Sequence, residues 1–182
     1  MRKLAAFSIP FVGLKPGKHE FEYQLDKEFF EDFEYEEFNS VNLKVDLLFD
    51  KTPTMMELNF HAEGVVNVNC DLTNEPYDQP INGDLRLVVK FGDEFNDDNE
   101  EILILPHGEY QINVAQYIYE LVVLSVPLKR IHPGVADGSL ESEVLKKLEE
   151  LSPKEAKDID ENENGEDIDP RWNKLKNLLN DK

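Results

Sequence analysis

Leu58–Leu72 reads LNFHAEGVVNVNCDL, and its parity decides the fold. Leu58, Phe60, Ala62, Gly64, Val66, Val68, Cys70 and Leu72 occupy one set of alternate positions, while Asn59, His61, Glu63, Asn67, Asn69 and Asp71 occupy the other. A period of two puts the first set on one face of an extended strand and the second on the opposite face. Only Val65 breaks the pattern. The run exceeds the usual strand length, so it predicts either two strand segments bent at Gly64 or one long strand with a glycine kink. In both cases the parity carries the register across the bend.

The same alternation recurs on both sides. Phe21, Tyr23 and Leu25 alternate with Glu20, Glu22 and Gln24, and Val41, Leu43, Val45, Leu47 and Phe49 repeat the pattern. Leu85, Leu87, Val89 and Phe91 predict a further strand between Gly83 and Gly92, and Ile102 to Leu105 a short one. Two stretches change period. After Asp26, a candidate cap, Phe29, Phe30 and Phe33 fall at helical spacing with Glu28, Glu31 and Asp32 outward. From Asn113 to Ser125 the apolar set is Val114, Tyr117, Ile118, Leu121, Val122 and Leu124, with Asn113 able to cap the first turn and Pro127 stopping the helix. Strands in succession with few helices between them predict an α+β fold. We expect a curled, mainly antiparallel sheet, half-barrel-like, packed by one main helix.

Residues 93–101, DEFNDDNEE, read as a solvated acidic loop. Beyond residue 133 the composition shifts to Ser, Gly, Pro and acid, apart from helical spacing at Val144, Leu145, Leu148 and Leu151. The run DIDENENGEDID at 158–169 has almost nothing to bury, which predicts disorder there. Asp169 can cap a last short helix with Pro170 as its first helical residue. The expected organisation is an α+β domain over 1–133, an acidic, partly helical linker over 134–168 and a C-terminal docking helix over 169–182.

Charge narrows the function classes. The 182 residues carry 19 Lys plus Arg against 39 Asp plus Glu, a net charge of −20. Such a field repels phosphate backbones and favours basic proteins. With one cysteine, Cys70, no internal disulfide or thiolate cluster can form, which fits a reducing cytoplasm. Pro10 and Lys15 interrupt the N-terminal apolar residues before a signal-peptide core develops, and no apolar run is long enough to span a membrane.

Chemistry-bearing residues are sparse. His19, His61, His107 and His132 have no metal-ligand spacing with one another or with Cys70. His61, on the polar face of its strand, reads as a surface residue. Cys70 shares the parity of Val66 and Val68, and a buried thiol without a basic neighbour is expected to keep a high pKa and be inert. Adjacent acids such as Glu36 with Glu37 or Asp97 with Asp98 point apart along the chain, so they make poor magnesium sites. Glycine-rich phosphate loops and nucleophile elbows are absent from the sequence. Two small cationic islands stand out in an acidic protein: Lys129 and Arg130 beside His132, and Arg171, Lys174 and Lys176 beside Trp172. They are the candidate contacts to a partner or to RNA. Trp172, Leu175, Leu178 and Leu179 form an apolar stripe suited to docking, a reading we prefer to base stacking.

Gly108–Pro133, GEYQINVAQYIYELVVLSVPLKRIHP, places a Gly-Glu turn, a helix with a Glu before a string of aliphatics, a Val-Pro-Leu and a histidine in succession. That order is similar to the YceD family, the large ribosomal RNA subunit accumulation proteins. Asp169-Pro170-Arg171-Trp172 with its following leucines resembles the family's terminal helix, and Val66–Pro76 resembles its strand leading into Cys-x-x-Cys and a proline. Here Thr73 stands where the second cysteine falls, which removes a metal or redox role from this motif. His132 falls on the family's histidine, either as a turn cap or as a ligand.

The resemblance implies ribosome biogenesis without catalysis, in a bacterial cytoplasm or a plastid, and a gene commonly beside one for a small basic protein of the large subunit. Charge then favours a non-catalytic, cofactor-free factor that binds a basic ribosomal protein or assembly factor, with ribosomal RNA reached indirectly and no membrane partner. The alternatives are an RNA-processing nuclease using His132 and nearby carboxylates, and direct RNA binding through the two islands.

Overall fold

A computed structural model describes residues 3–99, 101–140 and 142–152. The chain divides into two units, 1–146 and 147–182. The first is an α+β domain, mostly sheet. Its elements are β1 (Ser8–Ile9), β2 (Gly17–Leu25), α1 (Lys27–Glu31), β3 (Ser40–Lys51), β4 (Met55–Asn69), β5 (Pro76–Gly92), β6 (Asn96–Asn99), β7 (Ile102–Pro106), β8 (Ile112–Asn113), α2 (Ala115–Ser125) and α3 (Pro133–Ala136). Helix α4 (Glu143–Leu151) follows, and short 3-10 turns flank β1. The linker residues 153–168 and the expected helix over 169–182 lie outside the described residues.

Six strands form one open sheet in the order β2-β3-β4-β5-β7-β6, and β1 pairs separately with β8. Every pairing in the large sheet is antiparallel except that of β5 with β7. The parallel pair arises because β6 intervenes in sequence and pairs back on β7 from outside. Register follows the parity read from the sequence. Phe60 lies opposite Leu47 and Leu85, and Leu58 opposite Phe49 and Leu87, so one face collects the large apolar side chains. Leu43, Val45, Leu47, Phe49, Leu58, Ala62, Val66 and Val89 are all at most 1% exposed. Asn59, His61, Glu63, Asp84 and Arg86 point the other way, into water.

Strand β4 is one unbroken element of 15 residues with Gly64 at φ +141°, which settles the choice between two segments and one kinked strand. Val65, beside the kink, is 37% exposed. Both helices form where the spacing places them. Asp26 Oδ1 accepts a hydrogen bond from Phe29 N–H at 3.3 Å, capping α1. Asn113 Oδ1 accepts one from Ala115 N–H at 3.0 Å, while Val114 is the residue at the cap of α2. The buried face of α2 is Ala115, Ile118, Leu121 and Val122. Gly83 on β5 lets this helix approach, since a Cβ there would meet Ser125 Oγ.

Two expectations are corrected. Within the supposed acidic loop 93–101, Asn96–Asn99 form strand β6, entirely exposed and paired to β7. Strand pairing uses backbone groups, and charged side chains are what a solvent-facing edge tolerates. Leu124, assigned to the apolar face of α2, is 82% exposed. It lies off the stripe of Ile118, Leu121 and Val122.

Candidate functional site

Where β4 ends at Asn69, the residues from Cys70 to Glu75 turn the chain into β5. Cys70 N–H donates to the Glu75 carbonyl at 2.9 Å, Asn74 N–H to the Cys70 carbonyl at 2.8 Å, and Asn74 takes φ 60°. Against this turn lies the segment after α2. Asp71 N–H donates to the Arg130 carbonyl at 2.7 Å, and Arg130 N–H donates to Asp71 Oδ2 at 2.7 Å. The Arg130 guanidinium closes the corner, with Nε 3.2 Å from Asp71 Oδ1 and a terminal nitrogen 2.6 Å from Glu37 Oε2. The hydrogen bond to Glu37 raises its pKa further. Arg130 therefore pins three chain segments together with its charge already matched. Lys129 is exposed beside it.

His132 closes the same corner. Its N–H donates to Cys70 Sγ at 3.3 Å, and its Nδ1 accepts from Gly134 N–H at 2.9 Å, capping α3. With Nδ1 accepting, the neutral ring carries its proton on Nε2. Its ring meets Tyr77 edge-on with centroids 5.6 Å apart. Of the two roles open to this histidine, turn capping is the one the structure displays.

Cys70 is 2% exposed. Burial pushes its thiol up, but donors outweigh that: the His132 N–H, the Thr73 hydroxyl, and the N–H groups of Leu72 and Thr73 hold its pKa below the ordinary thiol value. Cys70 is buried as its parity predicts, but its pKa lies below the ordinary value and not at the high one expected. A basic side chain is not required for that direction, because N–H and O–H donors of a tight turn also favour the thiolate. Among the described residues, no group of three His, Cys, Asp or Glu is placed to hold a metal ion.

The corner is structural enough to test. Asp71→Ala removes the two Asp71 oxygens that Arg130 uses and leaves its pair with Glu37, so it should cost about 1–2 kcal/mol. Asp71→Asn keeps one acceptor for the Arg130 N–H and should lose less. Urea unfolding of both variants checks the order.

Several cations elsewhere are similarly committed. Arg86 Nε is 2.8 Å from Glu57 Oε1, and Lys44 Nζ is 3.2 Å from Glu22 and 3.0 Å from Asp46. Lys51 Nζ donates to the carbonyls of Phe11 and Leu14 at 2.7 and 2.8 Å. His61 sits on the sheet surface, and its hydrogen bond to Asp84 at 2.8 Å raises its pKa. Of the second cationic island, Arg171, Trp172, Lys174 and Lys176 lie outside the described residues.

One surface feature escaped the sequence reading. Beside α2 lie two hollows of about 510 and 350 Å³, which share Asp97, Leu103, Gln116 and Tyr117. The first runs toward Asp84, Glu120 and Leu124, the second toward Phe95 and Glu109. Burial pushes Tyr117 up to about 12, with the charges of Asp97 and Glu120 adding to it. The signal available in the sequence was Leu124, an aliphatic residue out of phase with the buried stripe of its helix.

A family model for the large ribosomal RNA subunit accumulation protein YceD matches residues 58–179. No curated protein and no solved structure matches the chain. The matched span takes in most of the long glycine-kinked strand, the Cys70 turn, the α2 helix and the His132 corner that packs on that turn. The chain therefore belongs to the YceD family of large ribosomal RNA subunit accumulation proteins.

Proposed function

We propose that this chain is a non-catalytic ribosome-biogenesis factor that supports accumulation of large-subunit ribosomal RNA by binding a basic ribosomal protein or assembly factor. Family membership supplies the process. The observation that carries the mode of action is the imbalance of charge. The chain has a net charge of −20, and both arginines among the described residues, Arg86 and Arg130, are already paired with carboxylates. Phosphate recognition draws on unmatched cations, whereas a cationic polypeptide is drawn to such a surface from beyond contact distance. The protein would then act in the cytoplasm or a plastid, shielding its partner until assembly. No helix among the described residues is long and apolar enough to cross a membrane.

The test is capture of ribosomal proteins and ribosomal RNA by the tagged full chain from lysates of increasing ionic strength. Association with basic proteins should fall about tenfold or more as the Debye length shrinks from about 14 Å to about 6 Å. Removing residues 158–182, which contain Trp172, should weaken it further. Ribosomal RNA held without protein, or magnesium-dependent cleavage of precursor RNA by the purified chain, would overturn the proposal.

A further inference from the structure

The two hollows beside α2 form one trough. Gln116, Tyr117, Glu120, Leu124 and Ser125 fall at helical spacing, so its wall is a single face of that helix, with Asn113 of β8 at one end. Its floor is the apolar side of β5 and β7, where Leu87, Leu103 and Leu105 are buried and the half-buried Leu85 and Tyr117, with Leu124, offer the open apolar surface. The rim carries Asp97, Asp98, Glu109 and Glu120, and neither hollow is lined by a Lys, Arg or His among the described residues. Asp84 borders the first hollow, but its carboxylate lies on the opposite face of the sheet, bonded to His61; Asp98 accepts a hydrogen bond from Asn96 at 2.9 Å. The helix that forms the wall is 11 residues long, which corresponds to about 16 Å, or three turns of a ligand helix lying beside it. Leu124, 82% exposed, and Phe95, 56% exposed, stand at the trough without being covered by the domain.

We infer that this trough is the docking site for a cationic amphipathic helix of a protein partner, with leucine-like side chains against the floor and Leu124, and Lys or Arg side chains against the rim. The inference rests on the basic-partner reading above and deepens it. Acidity alone would attract any polycation. An apolar floor inside an acidic rim selects those that also present a hydrophobic stripe, and it assigns the energy to a few positions. The rim sets encounter and orientation, while the floor sets residence.

The full chain is titrated into a labelled 14-residue peptide of alternating Leu and Lys blocks with helical spacing, and into a control with serine for every leucine, by fluorescence anisotropy at about 50 mM salt. The leucine peptide should bind at least about tenfold more tightly than the serine peptide. Asp97→Asn/Asp98→Asn/Glu120→Gln should weaken it about tenfold, and Leu124→Ser about fivefold, with Leu128→Ser as the exposed control outside the trough. Circular dichroism of each variant confirms that the fold is kept. A second triple, Glu20→Gln/Glu31→Gln/Glu36→Gln, removes the same charge from exposed positions elsewhere. If both triples lose equally and Leu124→Ser loses nothing, the trough is overturned while the electrostatic reading stands. If neither peptide binds, both are overturned. Self-association of the chain that closes the trough against the peptide would make it a seam between copies and overturn the inference too.

Discussion

Gly64→Ala is expected to destabilise the domain by about 3–5 kcal/mol, although it adds a single methyl group. Two effects act together. At φ +141° an L side chain is strained wherever it points, and strain in such regions costs about 1–3 kcal/mol. The new Cβ would also meet the Asn42 carbonyl oxygen and lie 2.9 Å from Leu43 Cα. Both are backbone atoms of β3, so no rotamer change relieves the clash. The strand must move, and Gly64 is paired with Leu43 and Ile81 in the middle of the sheet. Gly13→Ala is the control, because nothing lies within 4 Å of its added Cβ and its φ lies outside that region. It should be neutral or stabilising by up to about 1 kcal/mol. Urea midpoints of the two variants, at unchanged m-value, give the comparison directly. A Gly64→Ala variant as stable as the parent would mean that the kink is not a fixed feature of β4.

The legible parts of this fold are those in which one residue type has one physical use. Alternation from Leu58 to Val68 works because a strand buried on one face has only that solution, and the register of β3, β4 and β5 inherits it. Asp26 was readable as a cap because its side chain has few other roles before an apolar helix start. Strand β6 was illegible, since an edge strand held by backbone pairing places no demand on its side chains, and Asn96–Asn99 look like any solvated loop. The pKa of Cys70 was misread for a related reason. What lowers it is mainly the direction of N–H groups in a turn and in a segment 62 residues away, and amides leave no mark in sequence. Arg130 looked like a free cation because Glu37 is 93 residues distant along the chain. The trough needed tertiary structure altogether: Asp97 and Glu120 read as two ordinary surface acids until β6 and α2 bring them to one rim.

Phe30→Ala is expected to cost about 3–5 kcal/mol and to loosen the helix that walls the trough. Phe30 is fully buried and joins α1 to what surrounds it. Its ring lies 5.1 Å from Phe29, 5.0 Å from Phe38 and 6.3 Å from Tyr119, the last on α2. Phe33 stacks on the same Tyr119 at 4.5 Å. Truncation at Phe30 leaves a cavity that neighbouring rings fill poorly, because aromatic side chains have few rotamers and Phe38 is itself buried. Phe30→Leu keeps most of the volume and should cost about 1–2 kcal/mol. The two variants separate stability from docking. Such a loss is a large fraction of the 5–15 kcal/mol that stabilises a typical domain, so binding must be measured where each variant is still folded, as judged by near-ultraviolet dichroism. There, Phe30→Leu should bind the leucine peptide as the parent does, while Phe30→Ala should bind it more weakly through freedom gained by α2. Leu124→Ser should do the reverse, losing affinity at unchanged stability, since its side chain is exposed and its helix is held by Ile118, Leu121 and Val122. Affinity that followed stability through all three variants would deny the trough any role of its own.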